Sequence, residues 1–250
     1  DTDFELEDEA EDLLEAVESV LRRRSRFGRV VRLEVDTTMS VETLALLCRE
    51  LELSEADVTT IDGPLDLSAL WALYGLDRPD LKPPAWSPVV PPRWARAASG
   101  SEVFDEIRRG DLLVQQPYDS FRASFEAFAE AAARDPEVIA IKTAVYRTSD
   151  DSSLVSSLIE CAEQGKQSVC VVELKARFDE QRNIAWSRAL EQAGVHVVYG
   201  FPDLKIHAKT TLVVRREGDE LRRYVHIGTG NYHATTARIY EDVGLFTADP

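Results

Sequence analysis

Between residues 137 and 200 the hydrophobic pattern alternates between two periods, and this alternation narrows the fold more than any other feature of the chain. EVIAIKTAVY, SVCVVELKA and VHVVYG are short, β-branched apolar runs of the kind that form buried strands. The segments between them, DSSLVSSLIECAEQGK and FDEQRNIAWSRALEQAG, carry helical spacing and end at Gly165 and Gly194. Strand, helix, strand, helix, strand predicts a largely parallel sheet with helices packed against it. Downstream, HAKTTLVVRR and ELRRYVHIG flank the turn Glu217-Gly218-Asp219, which predicts a hairpin at the sheet edge.

The upstream half is organised differently. Ala10, Leu13, Leu14, Val17 and Leu21 recur at helical spacing over residues 7–24, RVVRLEVD reads as a strand, and SVETLALLCRELEL reads as a helix capped by Ser40. These elements predict a small α/β unit ending near residue 78. The stretch DRPDLKPPAWSPVVPP is rich in proline, which removes backbone donors and disfavours helix, so residues 79–92 are expected to form an extended connector pinned by Trp86. After it come a short helix closed by Gly110, the strand LLVQQ and a long helix over residues 120–134. The domain boundary is placed near residue 136, with a head domain over 1–136 and a second domain over 137–250.

Charge excludes whole classes of function. With a formal net charge of −16 over 250 residues, the chain lacks the basic footprint that a general nucleic-acid or anionic-membrane surface requires. No apolar run approaches the ~20 residues of a membrane span. Cys48, Cys161 and Cys170 lie in apolar stretches without ligand spacing and are expected to be reduced core residues, which favours a cytoplasmic setting. The chain opens Asp-Thr-Asp-Phe and closes Ala-Asp-Pro, and both ends read as cut.

Any anion must therefore meet local cations, and one strand offers them. His207 and Lys209 are two residues apart at the start of a predicted strand, so they share a face. An unprotonated imidazole is a competent nucleophile, and a neighbouring ammonium stabilises charge on an incoming phosphate. Gly228-Thr229-Gly230-Asn231 follows the next predicted strand; its glycines let backbone N–H groups approach an anion, and Asn231 adds side-chain donors, although the same residues could make an ordinary turn. Arg147 and Arg177 sit just beyond strand C-termini, where α/β sheets place ligands, and could hold phosphate or pair with Asp150 and Asp179. His196 is expected in the core, the side occupied by His226 is open, and His233 has no metal-ligand spacing.

Several of these segments resemble a known family. VYRTS, VELKARFDE, GVHVVYG, LKIHAK and YVHIGTGNY are similar to the phosphohistidine-forming polyphosphate kinases, whose catalytic half is related to phospholipase D. DEAEDLLEAV, FGRVVRLEV, GPLDLSALWALYGLDRPDLK and QQPYDSF resemble the head region of the same family, so nearly the whole chain is covered. The resemblance implies an α/β fold in which a phospholipase-D-like, mostly parallel sheet flanked by helices follows a smaller α/β head domain. It implies reversible transfer of the ATP terminal phosphate to polyphosphate through a phosphohistidine, with magnesium neutralising phosphate charge. His207 matches the phosphorylated histidine, with Lys209 beside it. Arg147 and Arg177 match positions associated with magnesium and phosphate; a guanidinium cannot ligate a cation, so they are expected to hold the phosphates that the metal touches. Tyr240 matches a nucleotide-contacting tyrosine, and Gly230 and Asn231 are expected on the same nucleotide side. The partners implied are polyphosphate and ATP or ADP, with self-association of the longer protein.

The departures bear on activity. Where the phospholipase D signature has an Asp, this chain has Val214, which disfavours lipid phosphodiester cleavage. Gln115-Gln116 stand where the family has two histidines, and His233 follows Tyr232 where Asn is usual. The family also has an N-terminal domain and a second phospholipase-like domain that these residues do not include, so the 250 residues alone are expected to be nearly inactive. The alternatives are a non-catalytic module that binds polyphosphate or nucleotide, and a phosphodiesterase of the same fold.

Overall fold

The computed structural model describes residues 14–15, 17–19, 30–97, 100–149, 152–174, 176, 180–200 and 204–249. By contacts the chain divides into two compact units, one running to Trp86 and the other from Ser87 onward, the second also taking in the described residues 14, 15, 17 and 18.

In the first unit, β1 (Leu33–Asp36) and β2 (Val58–Ile61) pair in parallel, with α1 (Val41–Glu50) between them in sequence. Ser40 caps α1, its hydroxyl accepting from the Thr43 amide at 3.2 Å, as the sequence predicts. α2 (Leu70–Tyr74) follows, and Leu67, Trp71, Leu73 and Tyr74 are exposed around it. Trp86 is itself 60% exposed, so it does not pin the connector by burial. Within the second unit it is Val89 that ties the connector down, its N–H donating to Tyr118 O and its carbonyl accepting from Ser120 N, each at 2.8 Å.

The second unit is built on a seven-stranded sheet. Its elements are α3 (Pro92–Arg96), α4 (Glu102–Arg108), β3 (Leu112–Gln116), α5 (Ala127–Arg134), β4 (Val138–Val145), α6 (Ser153–Glu163), β5 (Gln167–Val172), α7 (Glu180–Gln192), β6 (His196–Tyr199), β7 (Lys209–Glu217), β8 (Glu220–Gly228) and β9 (Asp242–Thr247). The strand order is β3-β9-β8-β7-β4-β5-β6. Parallel pairing is confined to β4, β5 and β6, the strands joined by α6 and α7; the pairings of β7, β8, β9 and β3 are antiparallel. The hairpin β7–β8 does not lie at the edge. β7 pairs with β4 in the middle of the sheet, and β9 and β3 extend it beyond β8. Short range patterning predicts the hairpin itself, but the partner of its outer strand is a long-range pairing that no local period encodes.

Helix ends behave as their residues require. Gly165 and Gly194 take φ of 76° and 86°, conformations that end α6 and α7 and that side chains rarely adopt. Lys166 reaches across to the end of α5, where its ammonium donates to the carbonyls of Ala132 and Asp135 at 3.3 and 2.9 Å, and also to Ala133. The segment expected as one long helix opens instead as a π-helical turn over Arg122–Glu126 before α5 begins.

The core of this unit is aromatic on the β8–β9 side. Phe104 meets Tyr224 at 4.9 Å and Phe128 at 5.9 Å, Phe128 meets Phe246 at 5.4 Å, and Trp94 meets Phe246 at 4.6 Å. All five are buried, and each such ring contributes roughly 1.5–3 kcal/mol relative to exposure. Because Trp94, Phe104 and β3 belong to this core and sheet, the segment from residue 92 to 136 packs with the later strands, whereas the sequence reading groups it with the head. Leu14, Glu15, Val17, Glu18 and Ser19 are helical, as the spacing over 7–24 predicts, and Glu18 pairs with Arg188 of α7; the remainder of that predicted helix lies outside the described residues. Cys161 and Cys170 are fully buried, with burial pushing the Cys161 thiol up to about 11, while Cys48 is only partly buried. His196 faces solvent on the edge strand β6 rather than the core. None of the described helices is long and apolar enough to cross a membrane.

Candidate functional site

Sheet register gathers the candidate residues at one end of the seven strands. Ala144 of β4 pairs with Thr210, Lys209 with Gly228, Gly228 with Gly244, and Gln116 with Asp242. The C-terminal ends of β4, β8 and β3 and the N-terminal ends of β7 and β9 therefore lie side by side. The segments 146–149, 204–208 and 229–241 all project from this end.

Tyr146, which directly follows β4, is the hub. Its ring meets the His207 imidazole edge-on, with 4.8 Å between centroids and 77° between planes. The Arg147 guanidinium carbon lies 5.3 Å from the same ring centre and the Lys209 ammonium 5.4 Å from it, both within cation–π range. One aromatic ring thus collects the imidazole and two cations that the sequence places more than sixty positions apart in part.

The electrostatics follow from this crowding. Burial is the main influence holding the His207 pKa below its ordinary value of 6.5, and the charges of Lys209, Arg147 and Lys205 act in the same direction. The ring is nonetheless exposed to solvent on its open side. Lys209 is 5% exposed, and burial, opposed by the Asp242 carboxylate and aided by Arg147, lowers its pKa as well. An exposed imidazole kept neutral beside two cations can attack a phosphorus atom and then have its anionic adduct stabilised.

A second strip of structure lies against the first. Thr148 forms an isolated parallel bridge with Tyr232, and its hydroxyl donates to Tyr232 O at 2.9 Å. The Arg147 segment and the Gly-Thr-Gly-Asn loop are thereby joined. The loop is also knitted to β9: Thr229 N donates to Val243 O, Val243 N to Thr229 Oγ1, and Thr229 Oγ1 to Asp242 Oδ1, at 3.0, 3.0 and 2.8 Å. The Thr229 amide is consequently not available to an anion, which narrows the cradle read from the sequence. A Cβ on Gly230 would stand 2.7 Å from the Asp242 carboxylate, so this position requires glycine for close approach rather than for an unusual φ. Asn231 Oδ1 is buried without a hydrogen-bond partner among the described residues, and Asn231 and Gly230 line a small cavity with Gln116, Phe121, His226 and Asp242.

Beneath the loop, His226 is 4% exposed, and its Nδ1 lies 3.0 Å from the Tyr232 hydroxyl. Tyr232 stacks on Phe125 at 3.9 Å and 5°. Burial pushes the His226 pKa down to about 3, so this imidazole is neutral scaffolding.

Of the residues singled out by sequence, the ring cluster around Tyr146 brings together His207, Lys209 and Arg147, and the Thr148–Tyr232 bridge brings Gly230 and Asn231 alongside. Tyr240 precedes β9 at the same end of the sheet, 62% exposed, and is not part of the ring cluster. Arg177 lies outside the described residues, as do Asp150 and Asp179, the acids considered as alternative partners for the two arginines. Among the described residues no group of three His, Cys, Asp or Glu side chains could hold a metal ion, and guanidinium groups have no lone pair to offer. Among the described residues, then, the side chains do not by themselves offer a magnesium site.

Sequence reasoning missed Tyr146 as a hub, and it did not single out Asn183 of α7, whose Nδ2 donates to the Tyr146 carbonyl at 3.0 Å. Asn183, Ile184, Ser187 and Leu190 form the buried face of α7. Two polar residues on an otherwise core-facing helical stripe were the available signal.

Residues 102–250 match the family model for the polyphosphate kinase C-terminal domain 1, and residues 1–73 match that for the polyphosphate kinase middle domain. The polyphosphate kinase of Mycolicibacterium paratuberculosis is 59% identical over 244 residues, which are 98% of this chain and 33% of that protein. That of Mycobacterium tuberculosis is 57% identical over 249 residues, 99% of this chain and 33% of the relative. The crystal structure of polyphosphate kinase from Porphyromonas gingivalis superposes with a TM-score of 0.70 at 30% identity, covering 87% of this chain and 33% of that one. The chain thus spans about a third of the length of the relatives it matches.

Proposed function

Because the chain belongs to the polyphosphate kinase family, we propose that it carries the nucleophile of a phosphotransferase that moves the terminal phosphate of ATP onto polyphosphate through a phosphohistidine at His207. The observation that supports this most is the environment of that imidazole: exposed on one side, held neutral by burial and by neighbouring cations, with Lys209 and Arg147 gathered around the same Tyr146 ring.

In the first half-reaction an unprotonated ring nitrogen of His207 attacks the γ-phosphorus of ATP. The bond to the β–γ bridging oxygen breaks, and ADP leaves with that oxygen and its electron pair. In the second, a terminal oxygen of polyphosphate attacks the phosphohistidine phosphorus, the P–N bond breaks, and the neutral imidazole is restored with the chain one phosphate longer. Lys209 and Arg147 stabilise the charge on the transferring phosphoryl oxygens, an interaction that strengthens as the transition state spreads negative charge over them. Arg177 is assigned the same role on the strength of the family resemblance. Magnesium enters with the nucleotide, bound to its phosphates, as part of the substrate. Gly230, Asn231 and Tyr240 are assigned to the nucleotide side of the cleft.

The test is turnover by the full-length enzyme. With ATP and magnesium it should make polyphosphate, and His207→Ala should not. Polyphosphate formation by His207→Ala at the normal rate would remove the nucleophile from this site. The 250 residues alone, which span about a third of the relatives' length, are expected to turn over poorly under the same conditions.

A further inference from the structure

One buried side chain that takes no part in the proposed chemistry reaches His207 by two separate routes. Asn183, in α7, is completely buried. Its Nδ2 donates to the carbonyl of Tyr146 at 3.0 Å and to the carbonyl of Glu173 at 2.8 Å, while its Oδ1 accepts from Trp186 Nε1 at 3.1 Å. Both amide hydrogens and the amide oxygen are engaged, which makes the orientation of the side chain unambiguous.

Both carbonyls lie just past the ends of neighbouring strands, at the end of the sheet that carries His207. Tyr146 follows β4 and Glu173 follows β5, and the strands are parallel neighbours joined there by Glu173 N donating to Val145 O at 3.2 Å. From Tyr146 the ring runs against the imidazole of His207. From Glu173, a side chain only 2% exposed, Oε2 accepts from the backbone N–H of Ile206 at 2.8 Å, one residue before His207. The imidazole is therefore set from the side by Tyr146 and through its own backbone by Glu173, and a single amide fixes the origin of both.

We propose that Asn183 is a positioning residue for His207, acting through Tyr146 and Glu173; this rests on the reading of His207 as the nucleophile. In-line attack on phosphorus needs the ring nitrogen placed within a fraction of an ångström, and a displacement of about 1 Å can cost about a hundredfold in rate. An amide suits the task because it supplies two donors in one plane. Aspartate would turn oxygens toward both carbonyls, and alanine would leave both carbonyls buried without that donor.

The experiment uses the full-length enzyme and measures formation of the phosphoenzyme from labelled ATP, with KM for ATP and the thermal midpoint recorded alongside. Asn183→Ala and Asn183→Asp are expected to lower the maximal rate by about tenfold to a hundredfold while KM for ATP stays within about twofold. Glu173→Ala should show the same pattern, and Glu173→Gln, which keeps an oxygen for the Ile206 amide, should recover most of the rate. A folded Asn183→Ala enzyme with unchanged maximal rate overturns the proposal, as does a fall in rate matched by the same factor in KM. Should the Asn183 variants fail to fold, the Glu173 pair decides, and equal rates for its Ala and Gln variants sink the idea. His207→Ala is run beside them. If it still forms phosphoenzyme, the reading of His207 has failed; if it is dead while the Asn183 and Glu173 variants are normal, only the positioning role has.

Discussion

The side chain of Lys209 folds back so that its ammonium donates to the backbone carbonyl of His207, 2.6 Å away. The hydrogen bond holds the ammonium close to the backbone that carries the imidazole. Its field adds to the burial that lowers the His207 pKa.

The acid limb of phosphoenzyme formation should consequently lie below pH 6.5, the ordinary histidine value, because the imidazole stays unprotonated further into acid. Lys209→Met should move that limb upward, toward but not reaching 6.5, since burial remains the larger cause. The same variant should lose about a hundredfold in maximal rate, as expected for removing one donor to developing charge. A pH–rate profile of both enzymes checks this, and an acid limb that does not move with Lys209→Met contradicts the assigned electrostatics.

Gly230→Ala should impair nucleotide binding with little loss of fold. The added Cβ would sit 2.7 Å from the Asp242 carboxylate, which is itself held by Thr229. The loop must shift to relieve the contact, and KM for ATP should rise about tenfold, equivalent to ~1.4 kcal/mol. Steady-state kinetics with a thermal melt on the same sample separates this from unfolding.

The elements legible in the sequence were those that depend on local period and local caps. The strands β4, β5 and β6, the helices between them, the Ser40 cap and the glycine ends at 165 and 194 follow from spacing and backbone conformation. The pairings that join β7 to β4 and β9 to β3 depend on partners far away in sequence, so the antiparallel half of the sheet was not legible. For the site, His207 and Lys209 were visible from their two-residue spacing at a predicted strand start, and Arg147 because α/β sheets place ligands beyond strand C-termini. Tyr146 was not, because its role is to be a surface against which three other side chains pack. His196 and His226 show the limit of one-strand reasoning: β6 is an edge strand with an exposed face, and His226 is accommodated only because Gly228 and Gly244 leave room, a Cβ at Gly244 falling 2.6 Å from its Nε2.

His226 makes the fold sensitive to acid. Its pKa falls from 6.5 in the unfolded chain to about 3 in the folded one. Between those values the unfolded chain binds a proton that the folded chain does not, so stability is full above the unfolded value and is lost as pH falls through the window. His226→Leu removes this proton. It should be less stable at pH 8 by about 1–3 kcal/mol, because the Tyr232 hydroxyl loses its imidazole partner, yet its stability should fall less steeply on acidification. Denaturant unfolding at a series of pH values makes the comparison; parallel curves for the two proteins would rule out the buried imidazole as the source.

His207 is proposed to form the covalent intermediate. The most direct measurement incubates the full-length protein with γ-labelled ATP and magnesium, then maps acid-labile, alkali-stable label onto its peptides. Label is expected on the peptide containing His207, with none in His207→Ala. Label on another residue of an active enzyme, or label undiminished in His207→Ala, would contradict it.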